Sequence, residues 1–297
     1  YRIIDSLVRE ILPGKEERIY YNPEFDDNGL VAKLEVGGKI FVYDAKNKAL
    51  IPSERKKYPS IRPYGVSPDL RYELIVKEYN LWLEDKEQKK QVQLTFDGDK
   101  DYEFETANTE WLSDDGTFYL TREDKRNIRT FPLVYSLREP APTVSEYKYE
   151  LPGDTAVLKQ ELFIGNVKTG MFKKVDVVKW RGQLLEVLKV ADVQDRVFFI
   201  RKKGTRNEFE LCSVDAKTGE VKVILHEVSK PYLNEELFSC RVLNGGKDIL
   251  LWSDRSGWGH YYHYDGNGKL LNSVTSGEWT AGRIMKIDTV KKQIYLY

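Results

Sequence analysis

Sulfur is scarce in this chain: 297 residues hold two cysteines and two methionines. Cys212 and Cys240 are too few for a disulfide framework and follow no metal-ligand spacing. They are expected to be buried or half-buried thiols, the usual fate of free cysteine. No run of 18 apolar residues occurs, so no segment reads as a membrane-spanning helix. Neither sign of charge prevails, since 47 Lys and Arg balance 47 Asp and Glu and the pI is near 7.0. That balance gives no reason to expect a nucleic acid or an anionic membrane as partner. No G-x-S-x-G elbow is present, and Ser276 stands in the turn Val274-Thr275-Ser276-Gly277-Glu278. Without a strained strand–turn–helix, no serine is presented to a base, and no catalytic residue is expected in this chain. Phosphate loops and dinucleotide fingerprints are also missing.

The metal chemistries fail on spacing. Asp97-Gly98-Asp99-Lys100-Asp101 alternates like a calcium loop but has no Glu at the twelfth position. Three histidines occur, His226, His260 and His263. The last two are three apart in strand-like sequence, which puts them on opposite faces. No metal and no organic cofactor is expected.

What is abundant is aromatic: 19 Tyr, 12 Phe and 6 Trp, a bias toward strands. A repeat orders them. Tyr43-Asp44, Glu84-Asp85, Gly165-Asn166, Val214-Asp215 and Tyr264-Asp265 each close an apolar run and open a polar turn. Their second residues lie 41, 81, 49 and 50 apart. A step of about 40–50 residues is one four-stranded propeller blade. The 81-residue step is a blade plus an insertion at about 123–158, marked by Pro132, Pro140, Pro142 and Pro152. A second set of turn signals precedes further apolar runs: Ser67-Pro68-Asp69, Ser113-Asp114-Asp115-Gly116, Val193-Gln194-Asp195 and Asn244-Gly245-Gly246-Lys247-Asp248. These predict strands near 72–76, 117–121, 198–201 and 249–253. The tryptophans Trp82, Trp111, Trp180, Trp252, Trp258 and Trp279 recur near blade positions and are expected to fill the core between blades. The fold predicted is all-β, a propeller segment over 1–297 with about five full blades. Only 3–11 looks helical. The chain opens within strand-like sequence (Ile19-Tyr20-Tyr21, then 30–34) and stops at Gln293-Ile294-Tyr295-Leu296-Tyr297 without a closing turn. It reads as a piece of a longer protein.

The segment Trp252-Ser253-Asp254-Arg255-Ser256-Gly257-Trp258-Gly259-His260-Tyr261-Tyr262-His263-Tyr264-Asp265 carries the sharpest resemblance, with Val274-Thr275-Ser276-Gly277-Glu278-Trp279 after it. It resembles the pattern S-x-R-x-G-W-x-H-x-Y-x-Y-D-x-x-G-K, then L-T-x-G-x-W, of one propeller blade in the dipeptidyl peptidase IV branch of the prolyl oligopeptidase family. Phe131-Pro132-Leu133-Val134-Tyr135 and Glu150-Leu151-Pro152-Gly153 resemble the strand and the end of a proline-rich arm in the same propeller. The resemblance spans 68–297. It implies a segment of an eight-bladed propeller that filters substrates for a serine exopeptidase. The nucleophile, acid and His would lie in a following α/β-hydrolase domain, absent from this chain. It also implies a peptide substrate, no cofactor, a homodimeric parent and an extracytoplasmic place, periplasmic or at the cell surface.

One stretch is a candidate substrate site. Family members carry an acidic loop, D-W-V-Y-E-E-E, that grips the substrate's free amino terminus. Here Asp101-Tyr102-Glu103-Phe104-Glu105 follows Gln93-Leu94-Thr95, shorter and without the Trp or the adjacent Glu pair. Read from the residues alone, the Asp/Gly part, 97–101, is a solvated loop, and Glu103 and Glu105 stand on a solvated edge strand paired with nearby lysines. Read through the resemblance, Glu103 and Glu105 bind an ammonium through charge-assisted hydrogen bonds. Period-two alternation sets both on one face, with Phe104 opposite. Two rival readings stay open, an interaction-only propeller and a pseudo-peptidase without its serine. The next 250 or so residues of the gene would decide, through a serine elbow followed by Asp and His.

Overall fold

The computed structural model describes residues 24–25, 31–36, 39–44, 47–53, 64–112 and 116–297. The predicted helix at 3–11, the strand-like residues 19–21 and the turn residues 113–115 lie outside them. The chain forms two compact units, Tyr1–Arg62 and Pro63–Tyr297.

In the first unit an antiparallel sheet runs β1 (Glu24–Phe25), β2 (Val31–Val36), β3 (Lys39–Asp44), β4 (Ala49–Ser53). The second unit repeats this up-and-down plan. One sheet holds β5 (Tyr72–Lys77), β6 (Asn80–Asp85) and β7 (Lys90–Gln93), and a single bridge, Val66 to Glu73, stands where a first strand would be. The next holds β8 (Glu110–Trp111), β9 (Thr117–Asp124), β12 (Lys159–Asn166) and β13 (Met171–Val175). Between β9 and β12 a separate hairpin forms an arm, β10 (Thr130–Tyr135) with β11 (Thr143–Lys148). Two more four-stranded sheets follow: β14 (Leu184–Leu188), β15 (Arg196–Lys202), β16 (Glu208–Asp215), β17 (Val221–Val228), then β18 (Cys240–Leu243), β19 (Asp248–Ser253), β20 (His260–Asp265), β21 (Leu270–Ser273). A pair, β22 (Ile284–Asp288) with β23 (Gln293–Leu296), completes the described strands. Helix among the described residues is confined to two 3₁₀ turns, Thr106–Asn108 and Asn244–Gly246. The fold is all-β and propeller-type, as the repeat spacing predicts. The predicted strands at 72–76, 117–121, 198–201 and 249–253 fall inside β5, β9, β15 and β19.

The repeat has a chemical basis. Asp44, Asp85, Asn166, Asp215 and Asp265 are each the last residue of their sheet's next-to-last strand. Their side-chain oxygens accept backbone N–H groups two to four residues on, as in Asp215 with Lys217 and Thr218, and Asp265 with Asn267 and Lys269. Such side-chain turns satisfy the backbone where the chain reverses.

Successive sheets of the second unit stack face to face, so their middle strands are buried on both sides. Val197 and Phe199 of β15 join Tyr119, Leu162 and Ile164 of the preceding sheet. Phe198 and Ile200, pointing the other way, join Ile249, Leu251 and Tyr262 of the following one. Strand alternation thus serves two cores rather than a core and a solvent face. That is why β9, β12, β15 and β19 carry unbroken apolar runs within them, at 118–120, 162–164, 197–200 and 249–252. Cys212 and Cys240 are both free and buried within these layers, and burial raises their thiol pKa values to about 11 and about 12.

The tryptophans divide. Trp252 is buried and donates its indole N–H to the Ala281 carbonyl at 2.8 Å. Trp258 and Trp279 are 45% and 47% exposed, against the expectation of an inter-blade core position. Both sit in the turns flanking β20 and β21 rather than in strands, so no neighbouring sheet covers them.

Candidate functional site

The acidic stretch lies between β7 and β8 and is braced along its length. Thr95 Oγ1 accepts the Leu81 N–H at 2.9 Å, and Asn80 Oδ1 accepts the Gly98 N–H at 2.9 Å. Gly98 approaches the β5–β6 turn so closely that a Cβ would stand 2.4 Å from the Tyr79 carbonyl oxygen. Asp97 accepts two bonds from the Arg122 guanidinium, at 3.0 and 3.1 Å. Those bonds hold the Asp97 carboxyl below its usual range, against a smaller opposing effect of burial. Asp101 pairs with Lys148 at the base of the arm, 3.2 Å away. A solvated loop is therefore an incomplete description, because two of its three aspartates are tied to other elements.

Past Asp101 the chain rides along β9. A backbone bridge joins Phe104 to Arg122, and β8 takes up the same edge lower down, at Phe118 and Tyr119. The 3₁₀ turn Thr106–Asn108 bulges out between the two contacts. The register turns Tyr102 and Phe104 inward, 5% and 2% exposed, and turns Glu103 and Glu105 outward. The Tyr102 hydroxyl donates to Glu161 Oε2 at 2.7 Å. Burial, then that bond, pushes the Tyr102 hydroxyl pKa up.

Glu103 and Glu105 line one cavity of about 370 Å³. Its other walls come from Lys100 beside them and from β8, β9, β12 and β14, so it lies between two consecutive sheets and borders the first strand of each. Four more charged side chains in it are already paired: Lys125 with Glu123 at 2.6 Å, and Lys189 with Glu110. The Glu123 bond raises the Lys125 ammonium pKa, and the charges of Glu105 and Asp101 add to the effect. Among the described residues no cation pairs with Glu103 or Glu105. Glu105 accepts one amide bond, from Asn108 at 3.3 Å.

The pair chosen from the sequence is thus brought to one cavity, but its neighbours Arg122, Glu123, Lys125, Glu110 and Lys189 are not among the residues that sequence reasoning selects. The charged run Arg122-Glu123-Asp124-Lys125-Arg126, ending an apolar strand, is the signal that could have found three of them. The histidines separate as alternation requires. His260 is buried between Thr275 Oγ1 and the Gly277 carbonyl, His263 faces Asp248 at 2.7 Å, and His226 faces Glu208 at 2.9 Å. Among the described residues no group of three His, Cys, Asp or Glu side chains could hold a metal ion, and no helix is long and apolar enough to cross a membrane.

Stacked four-stranded sheets, with a cavity of mixed charge beside the first strands of two of them, define a β-propeller segment. The chain belongs to the family of the dipeptidyl peptidase IV (DPP IV) N-terminal region, whose model matches residues 31–296. It is 30% identical over 199 residues to dipeptidyl peptidase 4 of Trichophyton equinum, covering 62% of this chain and 25% of that protein. Against dipeptidyl peptidase 4 of Trichophyton rubrum the identity is 31% over 113 residues, 37% of this chain and 15% of that one. The crystal structure of Porphyromonas gingivalis dipeptidyl peptidase 4 superposes with a TM-score of 0.63 at 19% identity, over 94% of this chain and 43% of that chain. At that identity the likeness is one of fold. The chain spans a quarter or less of these curated relatives and under half of the solved protein.

Proposed function

We propose that this chain is the non-catalytic, substrate-gating propeller of a serine exopeptidase that removes dipeptides from free amino termini. A C-terminal α/β-hydrolase domain of the same protein supplies the nucleophile, and cleavage runs through an acyl-enzyme. Glu103 and Glu105 anchor the substrate ammonium. One observation carries this reading. Two carboxylates share one face and one cavity, and among the described residues no cation forms an ion pair with either, although Lys100, Arg122, Lys125 and Lys189 also line the cavity and Glu110 and Glu123 beside them each hold a lysine. Like charges left together are costly, and an ammonium entering between them relieves the repulsion through charge-assisted hydrogen bonds. The family membership and the names of the relatives support a peptidase as the parent.

The test uses the full-length protein. Glu103→Gln and Glu105→Gln should each raise KM for a free-amine dipeptidyl substrate, with little effect on a des-amino analogue. The loss of one charged hydrogen bond costs about 1.5–3 kcal/mol, or roughly 10- to 150-fold. Unchanged KM in both variants would refute the anchor. A fluorophosphonate probe should label the full-length protein and leave this chain unlabelled. An unlabelled full-length protein would make the parent a pseudo-peptidase or an interaction propeller. The same reading makes the parent an extracytoplasmic homodimer, open to cell fractionation and sedimentation.

A further inference from the structure

We propose that Arg122 is the positioning residue of the amine anchor, an inference that rests on the reading of Glu103 and Glu105 just given. Arg122 ends the apolar core of β9 and is 3% exposed. Its register partner across the sheet is Glu161. The next sheet repeats the arrangement with Arg201 and Glu210, also register partners. There the two side chains bond directly, with Arg201 Nε and Nη2 2.8 and 2.6 Å from Glu210 Oε2. Arg122 behaves differently. It stands 3.6 Å from Glu161, whose oxygens accept the Tyr102 hydroxyl and Lys174 instead. Its two terminal nitrogens turn to Asp97, the start of the acidic stretch.

The flat face of the same guanidinium carries the stretch itself. Its central carbon lies 3.4 Å from the Tyr102 ring centroid and 4.4 Å from that of Phe104. Glu103 sits between these two residues, and the Phe104 backbone is bridged to Arg122. Asp97, Tyr102 and Phe104 are therefore clamped to one planar cation, and the carboxylates of Glu103 and Glu105 are aimed by it. Planarity matters here. A lysine keeps the charge but loses both the paired bonds and the stack.

Arg122→Lys in the full-length protein tests this, with kinetics on a free-amine substrate and its des-amino analogue. The expected result is a KM raised about ten- to a hundredfold for the free-amine substrate, the usual cost of a misplaced group. The kcat, and the KM for the analogue, should stay within about twofold, the signature of lost binding rather than lost chemistry. Asp97→Asn, at a largely exposed carboxylate, should move the same parameter in the same direction, and it decides alone should Arg122→Lys not fold. An unchanged KM overturns the proposal. So does an equal rise for both substrates, which makes Arg122 a general brace. A wild-type protein that does not distinguish the two substrates removes the anchor itself, and with it this inference.

Discussion

Arg201 and Glu210 face each other across β15 and β16 as register partners, and both are buried, 8% and 3% exposed. Glu210 also takes the Lys179 ammonium, and Arg201 donates to the Val177 carbonyl at 3.0 Å. Neutralising one member strands the other. Glu210→Gln leaves a buried guanidinium without its carboxylate and should cost about 3–5 kcal/mol. The double variant Arg201→Met/Glu210→Leu removes both charges and should recover much of that loss. Denaturant midpoints of the three proteins check it, and a double variant no better than the single one would contradict the argument.

Acid should destabilise the fold within a defined window. Burial raises the Glu210 pKa, but the bonds from Lys179 and Arg201 outweigh it and the net shift is downward. Asp97 is lowered by Arg122, Glu208 by His226 and Lys203, and Asp215 by the N–H of Thr218. Each folded-state value lies below the unfolded one, so each contributes stability above the unfolded pKa and loses it as pH falls through the folded value. Thermal midpoints should fall as the pH drops below about 4, the ordinary carboxylate value. A midpoint that rises on acidification below about pH 4 would contradict these directions.

The repeat was legible because its cause is local: an Asp or Asn at a strand end bonds to its own turn. The arm was legible from prolines that a middle strand does not tolerate. The pairing of Glu103 with Glu105 followed from period-two alternation, since β9 fixes the register of 102–105. Other features depend on partners distant in the chain. Arg122 meets Asp97 25 residues away, and Lys189 reaches Glu110 from the next sheet. No local pattern specifies such contacts. Trp258 and Trp279 misled because motif position does not tell whether a neighbouring sheet will cover a turn.

Gly259, within the Gly257-Trp258-Gly259-His260 motif, is required by packing. A Cβ there would lie 2.0 Å from the Trp252 ring. That ring is held in place by its N–H bond to the Ala281 carbonyl and is buried beside Tyr261. Gly259→Ala should therefore cost about 1–3 kcal/mol through overpacking. It should also shift the tryptophan fluorescence as Trp252 moves. A variant of wild-type stability and spectrum would show that the ring relaxes freely.

The arm should be dispensable to the fold. Every residue of β10 is exposed, and Leu137 at the turn is 95% exposed, so little core goes with it. At its base Tyr149 N–H donates to the Arg129 carbonyl at 3.1 Å, so the flanking chain ends are already adjacent. Beyond them β9 and β12 pair without a break from Thr117 with Asn166 to Asp124 with Lys159. Replacing 130–148 by an Asn-Gly turn keeps that ladder, because a two-residue turn suits a tight antiparallel reversal. Nearest the site, the replacement removes the ion pair of Lys148 with Asp101, a partly exposed pair worth about 0.2–1 kcal/mol at most. The denaturant midpoint should stay near that of the intact chain, and solubility should rise as the apolar face of Phe131, Leu133 and Tyr147 goes. A destabilisation of several kcal/mol would mean that the arm packs on the sheets and supports the cavity of Glu103 and Glu105 directly.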